Sequence, residues 1–341
     1  MPNASAIPPP VPVFRTARRW SLLFLAGCGL LPVSLFPATT GPWSLTVRAE
    51  NDLPANVDRY YSNGVSLAFT RCVHDDDAIW PRLLRLPGLN RPGQLAQGGE
   101  IGQIMVTPAD TQLTNPDPTD RPYAGLLYVA VSWQRLDEHH YTALKFITGV
   151  VGPESLAEQT QKAVHRMIDV PQPRGWDHQL RTEPILNVVY EQRWRAQNWG
   201  RPESWGGDLL FVGGAMLGNV LTQAHGQIQF RHGWRVAQDF GASLIRGIGA
   251  LPPARDHARW GIHGYAGLGG LAIARNITLD GNSIRSGPRV NRRPYVSAVE
   301  TGLVVRGRGW QATASWVVWG REFTGQSRRS EFGALAFTVF R

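Results

Sequence analysis

Three polar clusters, far apart in a sequence of 341 residues, carry the side chains that hydrolytic chemistry needs. The first is residues 50–64, ENDLPANVDRYYSNG, which gathers Asn51, Asp52, Asp58, Arg59 and Ser62 between two alternating segments. The second is TDRPYAG at 119–125, and the third is PESLAEQTQKAVHRMID at 153–169, with Gln161 and His165. Gln161 and His165 are four apart, so on a helix they share one face. A neutral imidazole can take a proton from water at working pH, and that water can attack an ester carbonyl. Asp52 and Asn51 offer hard oxygen ligands, suited to a hard cation that would stabilise the oxyanion. Ser62 has two readings: a hydrogen-bonding partner, or a nucleophile with His165 as its base. No nucleophile-elbow motif surrounds it.

Plain structural readings stand beside these. Asn51, Asp52 and Ser62 are also ordinary turn formers, and Gln161 and His165 can be solvated polar residues. Asp58-Arg59 and Asp120-Arg121 read as ion pairs bracing a loop, because a neighbouring arginine removes an aspartate's basicity. Tyr60, Tyr61, Tyr123 and Tyr128 read as interfacial or loop-packing aromatics. His139-His140 reads as a turn, since neighbouring strand residues point to opposite faces.

The elements that must position these clusters are strands. Segments of about ten residues alternate in period two near 43–50, 64–71, 99–106, 123–135, 140–150, 182–195, 208–218, 222–231, 259–275, 294–306, 309–319 and 331–340. In the first, Trp43, Leu45, Val47 and Ala49 oppose Ser44, Thr46, Arg48 and Glu50. Residues 153–169 break the period and read as a helix, with Pro153 and Glu154 suited to its start and an apolar side of Leu156, Ala163, Val164, Met167 and Ile168. Residues 1–40 read as a secretory signal: Arg15, Arg18 and Arg19, a short apolar run at 20–36, then small residues. Leu25-Ala26-Gly27-Cys28 also has the form of a lipobox, which would leave Cys28 lipidated. With Cys28 in that segment, Cys72 stands alone and no disulfide framework is expected.

An exported chain without an apolar spanning helix can still cross a membrane as a closed barrel. The expected fold is therefore all-β: a twelve-stranded antiparallel transmembrane β-barrel over 41–341, with a short helix in an extracellular loop. A soluble β-sandwich with its apolar faces inward is the alternative. The net charge of +9 falls to +6 without the three leader arginines. A basic surface suits nucleic acid or the phosphates of anionic lipid; no nucleic-acid motif accompanies it, so no nucleic-acid partner is expected. With the N-terminus periplasmic, strand parity puts all three polar clusters on the extracellular rim. The same parity puts the long connections 72–98 and 232–258 at the periplasmic end, where turns are ordinarily short. Helices at 80–86 and 238–247 would account for them, as would a local error in the strand count.

Asn51-Asp52, DRYYSNG, DRPYAGLLY, Val150-Val151-Gly152-Pro153 and QKAVHR followed by Gly175-Trp176 together resemble the outer-membrane lipid A deacylases, the LpxR family. The resemblance covers nearly all of the chain beyond residue 40. It implies calcium-dependent removal of 3′-linked acyloxyacyl chains from lipid A of lipopolysaccharide in the bacterial outer membrane; a monomer is expected. It implies His165 as the catalytic histidine, with Gln161, Asn51, Asp52 and Ser62 as site residues and Asp52 and Asn51 as metal ligands. Two positions depart from the family pattern. Leu53 stands where a second aspartate is found, and residues 107–119 contain no basic residue. A calcium-activated outer-membrane phospholipase with Ser62 as nucleophile, and a porin-like barrel without catalysis, are the competing readings.

Overall fold

Each strand pairs antiparallel with its neighbours in the chain until β1 meets β12, and the sheet closes on itself. The computed structural model describes residues 41–52, 60–74, 87–241, 249–250, 252 and 260–341. Among them the strands are β1 (Trp43–Asn51), β2 (Tyr60–Val73), β3 (Gln94–Thr107), β4 (Ala124–Leu136), β5 (His140–Val151) and β6 (Glu183–Gly200). They continue as β7 (Trp205–Gly218), β8 (Leu221–Trp234), β9 (Gly261–Asn276), β10 (Tyr295–Gly307), β11 (Trp310–Trp319) and β12 (Ser330–Phe340). The closing register runs from Ser44 opposite Phe340 to Asn51 opposite Gly333. Closure removes every sheet edge, so the strands satisfy their backbone groups without water.

The alternation is the reverse of a soluble sheet's. On β6, Leu186 and Trp194 are 64% and 52% exposed, while Asn187, Glu191 and Arg193 are buried. On β1, Ser44 and Thr46 are likewise buried. Apolar side chains face outward, where lipid supplies the apolar phase, and polar ones fill the lumen. Charges inside are tolerated because they are paired: Arg193 with Glu191 at 2.7 Å, Lys145 with Glu100 at 2.7 Å, and Arg231 and Arg195 with Asp208 at 2.6 and 3.1 Å. Among the described residues, no helix is long and apolar enough to cross a membrane.

The two long connections are accounted for without altering the strand count. Parts of both fold back into the lumen. Arg193 donates to the carbonyls of Phe240 and Gly241, Arg231 pairs with Asp239, and Phe240 packs against Tyr141. Gln134 donates to the carbonyl of Ala250, and Arg135 to those of Leu89 and Gly93. Residues 238–241, the described part of the helix expected at 238–247, are irregular. The helix expected at 80–86, the rest of 238–247, the signal segment 1–40 with Cys28, and Leu53, Asp58 and Arg59 lie outside the described residues.

Candidate active site

The expected helix forms in two pieces. A 3-10 turn, Pro153–Ser155, is followed by helix α1, Ala157–Ile168, with Leu156 between them in the left-handed region at φ 59°. Glu158 sits in the first turn and pairs with Lys162 one turn on, a favourable order of charges for a helix. The helix ends at Asp169, again left-handed at φ 57°, and Val170 N donates to His165 O. This hook turns the chain back along α1 and brings the Pro171 carbonyl 2.6 Å from His165 Nδ1. A carbonyl only accepts, so Nδ1 carries the proton and the lone pair of the neutral ring lies on Nε2.

The buried face of α1 is Ala157, Gln161 and His165, spaced four and four. This differs from the expected apolar side. Leu156 and Met167 are 53% and 59% exposed, while Val164 and Ile168 line the cavity beside His165. Two glycines make the docking possible. A Cβ on Gly125 would overlap Ser155 and Ala157 at the start of α1, and one on Gly175 would come within 2.6 Å of the Tyr123 ring. The glycines of DRPYAG and Gly175-Trp176 are thus points of close approach. Gln103 Nε2 completes the anchorage by donating to the Ser155 carbonyl at 2.6 Å.

Alternation along the strands tells which side of the wall this is. Glu50 and Ile104 line a lumenal cavity together with Arg48, Glu100 and Lys145. Their chain neighbours Asn51 and Met105 point the other way, and both line the cavity under α1. The site therefore lies on the outer, lipid-facing side of the barrel wall, at the end that export topology makes extracellular. A register shift between Tyr60 and Asn63, with Tyr60 at φ 70°, interrupts the pleat of β2. It lets Tyr61 line the lumenal cavity while Ser62 lines the outer one. Bulges re-aim side chains in this way beside functional sites.

All five candidates meet in that cavity, of ≈ 280 Å³: Asn51, Asp52, Ser62, Gln161 and His165. Its size is near the low end for ligand pockets, ~300–1,000 Å³, enough for a reacting ester and adjoining carbons but not for a whole lipid. Asp52 is 1% exposed and Ser62 3%. Asn51 Nδ2 donates to the Ser62 carbonyl at 3.0 Å, tying the end of β1 to β2. Ser62 Oγ shares a hydrogen bond with Thr107 Oγ1 at 2.5 Å. Trp176 Nε1 donates to Gln161 Oε1 at 2.7 Å. Indole is donor-only, so this bond fixes which end of the amide is oxygen and leaves Nε2 as the donor end.

Trp176, Thr107 and the Pro171 carbonyl were not among the expected site residues. Trp176 had a signal, its place beside Gly175 in the family-like motif; the other two had none. Asp120-Arg121 does not form the expected internal ion pair. Asp120 accepts from the backbone of Ala109 and Arg121, while the Arg121 guanidinium reaches Glu322 at 3.1 Å. Two of the tyrosines pack within the loops, Tyr123 against Trp176 and Tyr60 against Phe323, while Tyr61 lines the lumenal cavity and Tyr128 donates to Glu100 there. Among the described residues no group of three or more histidine, cysteine or acidic side chains converges. Asp52 and the Asn51 amide oxygen fit calcium in kind, as hard oxygen donors, but one carboxylate alone makes a weak site that backbone carbonyls must complete.

A family model described as outer membrane protein LpxR matches residues 22–340. No curated protein sequence matches this chain. Among solved structures, LpxR from Salmonella typhimurium is similar with a TM-score of 0.71 and 16% identity, over 87% of this chain and 99% of that one. The beta domain of the Bordetella autotransporter BrkA follows at 0.43 and 12% identity, over 88% and 98% of the two chains. The translocator domain of the autotransporter NalP from Neisseria meningitidis follows at 0.35 and 9%, over 96% of each.

Proposed function

The chain belongs to the LpxR family of outer-membrane proteins, and from this premise we propose that it is an ester hydrolase that removes 3′-linked acyloxyacyl chains from lipid A. One observation supports the reading above the others. Asn51, Asp52, Ser62, Gln161 and His165, from two connections about a hundred residues apart in the chain, line one cavity on the lipid-facing side of the wall. A lipid can present an ester there without leaving its leaflet.

In this mechanism His165 Nε2 takes a proton from water, and the water oxygen attacks the ester carbonyl. The Pro171 carbonyl holds the ring through Nδ1–H and stabilises the charge it gains. Gln161, turned by Trp176, offers its Nε2–H to the carbonyl oxygen as negative charge develops. Bound at Asp52 and Asn51 Oδ1, a calcium ion would add positive charge beside that oxygen. The tetrahedral carbon then expels the sugar 3′-oxygen, which leaves as the hydroxyl with the proton from His165, and the acyloxyacyl chain departs as the carboxylic acid. Ser62, bonded to Thr107, keeps the wall of the cavity polar at this point. Val164, Ile168 and Met105 supply apolar contact for the acyl carbons. The protein acts as a monomer, since one chain supplies the whole constellation.

Mass spectrometry of lipid A from cells with and without the protein tests this. Cells with the native chain lose the 3′-linked chains; cells with His165→Ala, correctly inserted, keep them. Full deacylation by His165→Ala sinks the assignment. A fluorophosphonate probe separates the mechanisms, because only a Ser62 nucleophile would be labelled. Offering phospholipid beside lipid A separates the substrate classes.

A further inference from the structure

Two connections on the extracellular rim lie outside the hydrolytic machinery and carry an unusual charge. Residues 277–294 join β9 to β10, and 320–329 join β11 to β12. They are zipped into one unit. Arg292 and Phe323 form an antiparallel bridge, Arg293 N donates to Glu322 O at 2.7 Å, and Thr324 N donates to Asn291 O at 2.8 Å. Beneath them Tyr60, Leu279 and Phe323 form a small apolar core. The unit presents Arg285, Arg289, Arg293, Arg321, Arg328 and Arg329 as exposed side chains.

The acids of the two connections do not neutralise these arginines. Asp280 pairs with Arg292 at 3.0 Å, and buried Glu322 pairs with Arg121 at 3.1 Å. Glu331, at the start of β12, is the nearest exposed acid along the chain. The connection between β3 and β4, whose Thr111 and Gln112 line the cleft, has the opposite character, with Asp110, Asp117 and Asp120 and a single, buried arginine, Arg121.

The unit is bolted to the cleft. Tyr60, two residues before Ser62, bonds Ser327 through its hydroxyl at 3.1 Å and packs edge-on against Phe323 at 6.0 Å. Arg121, from the DRPYAG motif, bonds both Glu322 and Thr278. The distance from the arginines to the cleft is therefore set by packed contacts.

We propose that this arginine unit is a docking platform for the phosphate-bearing headgroup of an outer-leaflet glycolipid. Guanidinium groups pair with phosphate through two parallel hydrogen bonds and keep their charge at any working pH. Their placement beside the cleft holds the sugar phosphates above the membrane while an acyl ester lies under α1. The inference rests on the reading of the cleft as a lipid A esterase for its substrate, but its test reads binding and needs no turnover.

The full chain carrying His165→Ala is placed in detergent micelles and titrated with bis-phosphorylated lipid A and with the same lipid stripped of phosphate. The same titrations are run on a variant that also carries Arg285→Gln, Arg289→Gln, Arg328→Gln and Arg329→Gln, all at exposed positions. The first protein should prefer the phosphorylated lipid by about tenfold or more. The neutralised protein should lose that preference and bind the stripped lipid unchanged. Equal binding of both lipids by the first protein overturns the platform, as does a preference that survives neutralisation. Failure of the esterase reading leaves this result untouched, since it would appear only as absent acyl release by the chain with native His165.

Discussion

Trp176→Phe tests how the amide of Gln161 is held. Trp176 is 1% exposed and Gln161 4%, and the bond between them is 2.7 Å. Phenylalanine keeps most of the ring contact with Tyr123 but removes the donor. Gln161 Oε1 then loses its partner in a buried place, a cost of about 1–3 kcal/mol. The amide can recover part of that cost by rotating, which swaps the donor end for the acceptor end at the cavity. If half of that energy, about 0.5–1.5 kcal/mol, had served to align Nε2–H with the developing oxyanion, kcat falls by roughly two- to tenfold, since 1.36 kcal/mol is one decade. KM should change little, because the donor matters most in the transition state. The assay is acyl release by the native chain, Trp176→Phe, Gln161→Ala and the double variant. If Trp176 acts through Gln161, the double variant is no slower than Gln161→Ala, giving a coupling equal to the loss in Trp176→Phe alone. Additive losses in the double variant would refute this account and leave Trp176 as packing alone.

Further outcomes follow from the same geometry. Gly125→Val should displace α1 from the wall and abolish acyl release while the barrel keeps its strand content by circular dichroism; retained activity would mean that the close approach is not needed. Asp52→Asn should weaken calcium dependence, raising the calcium needed for half-maximal activity by at least about tenfold, because the carboxylate lining the cavity loses its charge; an unchanged calcium requirement would place the ion elsewhere. The segment at 236–241 should keep the lumen closed at neutral pH. Burial pushes the Asp239 carboxyl up, but Arg231, His263 and the Gly241 N–H together hold it below its usual value. A lowered carboxyl stabilises the fold above its unfolded pKa of about 3.9 and loses that contribution as pH falls through the folded value. Conductance in planar bilayers should therefore be low at pH 7 and rise only in strong acid, while Asp239→Asn conducts more at pH 7; a wide-open native channel at neutral pH would contradict the plug.

Much of this protein was legible before any coordinates, because a barrel wall writes itself locally. Side chains two apart share a face, so Leu186, Asn187 and Trp194 declare which way β6 points without knowledge of its neighbours. The same parity counts crossings, and it put Asn51, Ser62 and His165 at one end. Helical spacing placed Gln161 and His165 together. What alternation does not carry is anything that depends on a break in it. The shift between Tyr60 and Asn63 sends Ser62 outward and Tyr61 inward, and a strict period-two reading gives the opposite. The apolar side read for α1 did not reveal which face docks: Leu156 and Met167 are exposed, and Ala157, Gln161 and His165 are buried instead.

Sequence by itself determined the barrel and brought the candidate clusters to one end of it, since strand parity and helical spacing are short-range properties. Tertiary structure alone decided that the site sits on the lipid-facing side of the wall. It also decided that Trp176 orients Gln161, that a backbone carbonyl selects the tautomer of His165, and that the long periplasmic connections fill the lumen. Those facts depend on contacts between segments distant in the chain, and on backbone atoms that every residue shares, so no residue type announces them.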